Sequence, residues 1–320
     1  MIKLSNYDIN PYIINWIGDF LSNRFQRVKL AEDCFSEWQS VPAGVPQGTK
    51  LGPWLFIVMI DDLVVPSANG TVKYVDDTTV YEVVNSREVS QAQNAINEIT
   101  QWSEINKFQL HPKKCKELRI SFSRSPAIRE LVSINETAII DLVKSVKVLG
   151  VIIQDNLKWN QHIDATVKKA AKRLYFLKQL KRAHVPAKDL VCFYIACIQS
   201  VLLYACQVFH YSLPEYLSSA LERVQTRAMR IIYGYDVSYI DALKTANINS
   251  LSQRRSELCQ SFFQQTISNP NNQLFHLLPF NTNHPSVTLR KPRVFATPLC
   301  KTNRFSNTFI NASARIYDSK

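Results

Sequence analysis

From Pro11 onward the apolar positions Ile13, Trp16, Ile17, Phe20 and Leu21 recur at i, i+3, i+4, i+7 and i+8, the period of a helix with one apolar face. Asn10 offers an N-cap side chain, and Pro11 suits the first helical position, where a missing N–H costs nothing. The helix is expected to run to about Arg24. Residues 25–31 and 36–42 read as short strands of one hairpin. A loop follows from Gly44 to Gly48, and Thr49 can cap an apolar helix running to about Leu63, with Pro53 tolerated in its first turn. Val72–Val75 and Thr78–Val84 are strand-like, with Asp76-Asp77 between them. A helix is expected over about 87–107, and Glu117–Phe122 and Val146–Ile153 read as further strands.

After Trp159 the period is helical. Ile163, Val167, Ala170, Leu174, Leu177 and Leu180 form one apolar stripe, while Lys168, Lys169, Lys172, Arg173, Lys178, Lys181 and Arg182 crowd the remaining faces with no acid between 165 and 182. Leu190 to Phe209 is a stretch of twenty residues without a charge, about the length of a bilayer core. It is also the pattern of a buried core helix, and the interruption by Gln199 and Ser200 favours that reading. A helix over about 215–233 places Leu217, Leu221, Val224, Ala228 and Ile231 inside, and Gly234 suits its C-terminal stop. Beyond residue 270, Pro270, Pro279, Pro285, Pro292 and Pro298 break any regular pattern. There is no internal repeat, and the change of character places a boundary near 155–160.

Composition sharpens this division. The chain has 320 residues and a formal charge of +12. Residues 1–150 hold 16 Lys and Arg against 17 Asp and Glu, whereas residues 151–320 hold 22 against 9. The excess base therefore lies wholly in the helical part and suits a polyanionic partner. At 46% hydrophobic and 20% charged the chain is neither a disordered tail nor a channel. Its 7 cysteines contain no CxxC pair, so neither a disulfide framework nor a zinc knuckle is indicated. The start lacks an apolar signal core. An intracellular protein of the nucleus or cytoplasm, not secreted, is the expectation.

Two segments carry candidate chemistry. In Tyr74-Val75-Asp76-Asp77, neighbouring strand side chains point to opposite faces, so two adjacent aspartates serve one site only where a turn breaks the pleat. Two carboxylates this close repel, and a divalent cation with a preference for hard oxygen ligands removes that penalty. A solvated Asp-Asp turn is the plain alternative. In Gly44-Val45-Pro46-Gln47-Gly48-Thr49 the glycines allow close approach of backbone to a ligand, and the following helix N-terminus suits phosphate. An ordinary turn before a core helix is the alternative there.

The order and spacing of these segments carry more than either alone. GVPQGT-x-LGP-x-LF, an aspartate pair 28 residues past Gly48, then LHPKKC and VLGV, together resemble the palm of a reverse transcriptase, with the closest likeness to non-LTR (LINE-type, jockey-like) retrotransposons. The resemblance implies an α+β fold: a partial right-hand polymerase palm over 1–155, without fingers and first catalytic strand, then a helical thumb and connection over 156–235 and a C-terminal helical or irregular region over 236–320. It implies RNA-directed DNA polymerase activity, with an RNA template, a DNA primer and deoxynucleoside triphosphates as partners, no membrane, and two Mg²⁺ (or Mn²⁺) ions in the complete site. Asp76 and Asp77 correspond to the catalytic metal ligands; Gly44, Pro46, Gln47, Gly48, Tyr74 and Lys114 to nucleotide- or template-contacting positions; Leu149 and Gly150 to the primer grip. Lys168, Lys169, Lys172 and Arg173 would track a nucleic-acid backbone.

The sequence departs from the family pattern at one place. The third carboxylate of the family, from an F-x-x-A-F-D strand, has no counterpart, and Met1 falls just after the position of that strand. Asp8 and Asp19 do not replace it, and Asp61-Asp62 reads as a solvated helix end. The expectation is a chain inactive by itself; the alternative is a non-catalytic nucleic-acid-binding remnant.

Overall fold

The computed structural model of this chain describes residues 2–85, 88–123, 130–279, 294–296 and 298–319. Two compact units divide it: Met1–Glu117 with Phe122–Val143, and Leu118–Ser121 with Lys144–Lys320.

The first unit begins with α1 (Ile2–Ser5) and α2 (Pro11–Leu21). Asn10 caps α2 as expected, its side chain accepting from the Tyr12 N–H at 2.9 Å. The helix stops at Leu21, short of Arg24, because Asn23 takes a left-handed φ of +48°. The hairpin consists of two nested ladders, β1 (Phe25–Gln26) on β4 (Gln39–Ser40) and β2 (Lys29–Ala31) on β3 (Cys34–Phe35). α3 (Leu51–Ile60) ends before Leu63, because the Lys73 ammonium takes the carbonyls of Ile60, Asp61 and Leu63. β5 (Gly70–Tyr74) and β6 (Asp77–Tyr81) form an antiparallel hairpin, and α4 (Ala92–Ile105) is shorter than the expected 87–107. Short strands β7 (Lys116–Leu118), β8 (Ser133–Ile134), β9 (Ala138–Ile139) and β10 (Asp141–Val143) follow; the strand expected over 117–122 is only β7. Three small clusters hold this unit: Leu4, Ile17 and Leu55; Leu63, Val65 and Ala95; and Val132, Ile134 and Ile140.

The second unit opens with a correction. The single strand expected over 146–153 is a hairpin of β11 (Ser145–Val148) and β12 (Val151–Gln154), turning at Leu149-Gly150. Both turn residues have positive φ, +45° and +89°, the geometry that matches the twist of a two-residue hairpin. Then come α5 (Asn160–Arg182), α6 (Ala187–Phe193), a π-helical stretch Tyr194–Gln199, α7 (Ser200–Leu203), α8 (Cys206–Phe209), α9 (Glu215–Tyr233), α10 (Tyr239–Ala246), α11 (Leu251–Ser268), α12 (Asn303–Ser306) and α13 (Phe309–Asp318).

One core joins α5, α9 and the segment between them. Ile163, Ala170, Leu174 and Leu177 of the expected stripe are buried, against Leu217, Leu221, Val224, Ala228 and Ile232 of α9. Ile232 takes the inside place assigned to Ile231, which is half-buried. Burying each such side chain is worth about 1.5–3 kcal/mol. α5 and α9 run parallel: Asn160 Nδ2 donates to the Tyr216 hydroxyl at one end, and Lys181 Nζ donates to the Ile232 carbonyl at the other, both at 2.8 Å. Gly234, with φ +98°, ends α9 as expected.

Ala187–Ser212 is long and apolar enough to cross a membrane by length and composition. One face of it, Leu190, Tyr194, Ile198, Leu202, Cys206 and Phe209, lies in the core. It is not one continuous helix. Tyr204 leaves helical geometry and Ala205 takes a left-handed φ of +52° before α8 begins.

Among the described residues past 270 there is regular structure, α12 and α13. α13 packs on α11, with Phe263, Phe295 and Tyr317 in mutual ring contact at 5.5–6.2 Å. Pro285 and Pro292 lie outside the described residues.

Candidate active site

Asp76 and Asp77 sit where β5 turns into β6. Tyr74 pairs with Asp77, so the turn is the two residues Val75 and Asp76. Val75 has φ +53°. For a β-branched residue this is a costly conformation, about 1–2 kcal/mol, and a two-residue hairpin tolerates it because the turn needs positive φ at its first position. The pleat is therefore broken at the aspartate pair, as the sequence required for two adjacent carboxylates to serve one place. Both are exposed, and among the described residues no cation or hydrogen-bond donor occupies either carboxylate. Such a donor set, two unpaired carboxylates side by side, fits a hard divalent cation as part of a ligand shell. Among the described residues no group of three or more His, Cys, Asp or Glu is placed to complete one.

The other acidic pair has a different use. Asp62 accepts from Lys3 Nζ at 2.6 Å and from Trp102 Nε1 at 3.1 Å. Burial pushes its carboxyl up, but these donors outweigh it and hold the group below the usual carboxylate range. Asp61 accepts from the Tyr7 hydroxyl at 2.7 Å, which raises the Tyr7 pKa, through that bond first. The pair read as a solvated helix end thus fastens the end of α3 to the N-terminal residues and α4.

In the glycine loop, Gly44 and Gly48 have φ of +84° and +81°. Thr49 Oγ1 donates to the Pro46 carbonyl at 2.9 Å and accepts from the Gly52 N–H at 3.1 Å, performing the expected cap. Gly52 is constrained as well: a Cβ there would lie 2.9 Å from the Pro46 carbonyl oxygen. Gln47 is exposed and makes no hydrogen bond among the described residues.

Two residues that sequence reasoning passed over position these segments. Lys73, one residue before Tyr74, reaches the carbonyls at the end of α3 and so ties the aspartate hairpin to the helix that the glycine loop begins. Arg24 donates from its guanidinium to the Gly44 carbonyl, and from Nε to Leu21 at 2.9 Å. Neither carried a local signal for this role, because the bonds to Gly44 and to the end of α3 reach ten or more residues along the chain.

Lys114 is exposed at the end of a 3₁₀ turn, Pro112–Lys114. A cleft of about 610 Å³ beside this turn is lined by Gln109, Leu110, His111, Lys113 and Asp141, among others, and Asp76 and Asp77 do not line it. No hydrogen bond joins Lys114, the glycine loop and the aspartate turn among the described residues.

In the second unit, Leu149 and Gly150 form the β11–β12 turn. The Tyr204 hydroxyl donates to the Leu149 carbonyl at 2.7 Å, and a Cβ on Gly150 would lie 3.1 Å from the Tyr204 ring. On α5, Lys168, Lys169 and Lys172 are exposed, whereas Arg173 is half-buried and donates to the Cys197 carbonyl.

Residues 2–153 match the family model described as reverse transcriptase (RNA-dependent DNA polymerase), and residues 159–200 match that of the N-terminal region of alkylated DNA repair protein alkB homolog 8. The chain is 25% identical over 281 residues to the RNA-directed DNA polymerase from mobile element jockey of Drosophila funebris, covering 82% of this chain and 30% of the relative. It is 23% identical over 279 residues to the jockey polymerase of Drosophila melanogaster, again 82% of this chain and 30% of the relative. Against the probable RNA-directed DNA polymerase from transposon BS of Drosophila melanogaster it is 23% identical over 228 residues, 68% of this chain and 25% of the relative. The chain therefore spans 25–30% of the length of these curated relatives. No solved structure matches. Residues 2–153 are thus similar to the reverse transcriptase family, and the curated proteins that the chain resembles are the RNA-directed DNA polymerases of mobile element jockey and transposon BS.

Proposed function

We propose that this chain is part of a mobile-element protein that copies RNA into DNA, and that by itself it holds nucleic acid without extending it. The observation that carries the reading is the aspartate pair at a strained turn, with both carboxylates free of any cation among the described residues. Asp76 and Asp77 are the residues that would hold divalent ions, which when bound supply charge stabilisation for displacement at a nucleotide α-phosphate. The protein's own contribution is positional. The β5–β6 turn presents the two carboxylates together, Lys73 fixes the turn against α3, and the capped glycine loop exposes backbone N–H groups and Gln47 to a nucleotide or template. Lys114 adds a free cation for phosphate. Leu149 and Gly150 offer a turn for the primer end, and Lys168, Lys169 and Lys172 a cationic face for the duplex backbone, with Arg173 partly committed to Cys197.

The expected lack of extension follows from the ligand count. Two carboxylates leave a two-ion site short of its bridging ligand, and the described residues bring no third. The test is incorporation of deoxynucleotides on an RNA template–DNA primer by purified 1–320, in Mg²⁺ and in Mn²⁺, beside binding of the same duplex. Binding without incorporation is the expected result. Incorporation that Asp76→Asn abolishes would overturn the proposed inactivity while confirming the catalytic pair. Failure to bind the duplex at moderate salt would overturn the nucleic-acid reading itself.

A further inference from the structure

α9 carries a second cationic surface that the polymerase reading does not use. At about 100° per residue, Tyr216, Arg223, Arg227 and Arg230 fall within roughly 60° of one another on the helix. All four are exposed, and Arg223 to Arg230 spans about 10 Å along the axis. Among the described residues no carboxylate pairs with these arginines. The nearest acid in sequence, Glu222, lies about 100° round the helix from Arg223 and is spent on the Tyr239 hydroxyl and on the Leu251 and Ser252 N–H groups at 3.2 and 3.3 Å. Glu215 accepts from Ser219. Asp236, beyond the end of the helix, is the remaining acid close by in sequence.

Aromatic rings stand at both ends of this row. Tyr216 is 57% exposed and Tyr235 84% exposed, with the Arg230 guanidinium 5.8 Å from the Tyr235 ring centre. The parallel arrangement of α5 and α9 extends the row sideways. The Asn160–Tyr216 bond joins one face of each helix, and on α5 the residues within about 40° of Asn160 include Lys178 and Arg182 toward the C-terminal end, with Asp164 the one acid, near the N-terminal end. Both cations are exposed. The two helices thus border one seam with cations from each side. At its N-terminal end the seam opens into a cleft of about 260 Å³ lined by Lys158, Asn160, Tyr216, Asn303 and Asn307, among others.

We infer that the Tyr216–Arg223–Arg227–Arg230 face of α9, with Tyr235 just past the helix end, binds the backbone and bases of single-stranded nucleic acid. A row of cations one residue wide matches the phosphates of one strand, and exposed rings at its ends give flat surfaces on which unpaired bases stack at about 1–3 kcal/mol each. A duplex keeps its bases stacked on each other and has no use for the tyrosines. This face belongs to the second unit and the aspartate turn to the first, and the inference stands whether or not the chain polymerises.

The experiment measures binding of fluorescent dT20, rU20 and a 20-base-pair duplex to the full chain across a salt series. The variants are Arg223→Gln/Arg227→Gln/Arg230→Gln and, separately, Tyr235→Ala. All four substituted positions are exposed, and circular dichroism checks that the helices persist. The triple variant is expected to lose about 10-fold or more in single-strand affinity and to lower the log–log salt slope by about 2, at ~0.7 per phosphate contact. Tyr235→Ala is expected to weaken single-strand binding several-fold and leave the duplex unchanged. An unchanged salt slope in the triple variant overturns the inference, as does an equal loss for duplex and single strand, or a Tyr235→Ala variant with single-strand affinity intact.

Discussion

Replacing Gln225 by leucine tests whether the second unit is held by its buried polar network as well as by its apolar core. Gln225 is fully buried on α9. Its Oε1 accepts from the Tyr194 hydroxyl at 2.5 Å, and its Nε2 donates to the Tyr239 hydroxyl at 3.0 Å and to the Asn249 carbonyl at 2.9 Å. Leucine has similar volume and makes none of these bonds. Tyr239 keeps Glu222 as a partner, but the Tyr194 hydroxyl and the Asn249 carbonyl are stranded. Tyr194 is itself fully buried, and burial first, then the charge of nearby groups, raises its pKa far above the ordinary range, so it cannot ionise to relieve the loss. Two stranded groups at about 1–3 kcal/mol each, less about 1 kcal/mol returned by the added apolar side chain, give a net destabilisation of about 1–5 kcal/mol. Tyr194→Phe alone strands only the Gln225 oxygen and should cost about 1–2 kcal/mol. In the double variant the phenyl ring and leucine are compatible, so the combined loss should fall short of the sum by about 1 kcal/mol. The assay is urea unfolding followed by far-ultraviolet circular dichroism and by tryptophan fluorescence, to which Trp159 reports from the same core. A Gln225→Leu loss below about 0.5 kcal/mol, or strict additivity with Tyr194→Phe, refutes the reasoning.

Other outcomes follow from particular backbone and titration features. Gly150→Ala should cost about 2 kcal/mol or more, from positive φ and from crowding of the Tyr204 ring, whereas Gly48→Ala, with open space around its Cβ, should cost about 1 kcal/mol; thermal unfolding separates them. Val75→Gly removes the left-handed strain and should stabilise the first unit by about 0.5–1 kcal/mol, which a shift in its unfolding midpoint would register. Burial, and then the Arg255 charge, lower the His210 pKa to about 4, and burial lowers that of His162. A histidine kept neutral in the folded state contributes stability that is whole above its unfolded value of about 6.5 and is lost as pH falls toward 4, because the unfolded chain binds the proton first. Urea midpoints of the second unit should therefore decline over that window, and His210→Gln should flatten the decline.

Local capping and periodicity were the legible part of this fold. Asn10, Thr49 and Gly234 mark element ends through bonds to groups two to four residues away, and the α5 stripe places its own buried face. The turn at Leu149-Gly150 was hidden inside an apolar run whose only sign was one glycine. The break at Tyr204–Ala205 had no sign at all, because alanine is a strong helix former and its left-handed φ is imposed by packing. At the candidate site the residue types and spacing of the glycine loop and aspartate pair were readable. The bonds that hold them were not, since Lys73 and Arg24 act on carbonyls distant in sequence. Arg173 shows the converse: on the helix wheel it belongs with its lysine neighbours, yet a main-chain carbonyl from the next helical segment takes its guanidinium.

The break at Tyr204 carries a consequence for the apolar segment that contains it. A bilayer-spanning helix must satisfy every backbone group within itself over about 20 residues. This segment gives up its ladder at Tyr204 so that the tyrosine can grip the Leu149 carbonyl and lie over Gly150. Inserting the segment into lipid as a straight rod would withdraw that grip and free the turn proposed above for the primer end. Membrane insertion and a held β11–β12 turn are therefore mutually exclusive states of one chain, and the accessibility of Tyr204 to a water-soluble nitrating reagent distinguishes which of them a given preparation contains.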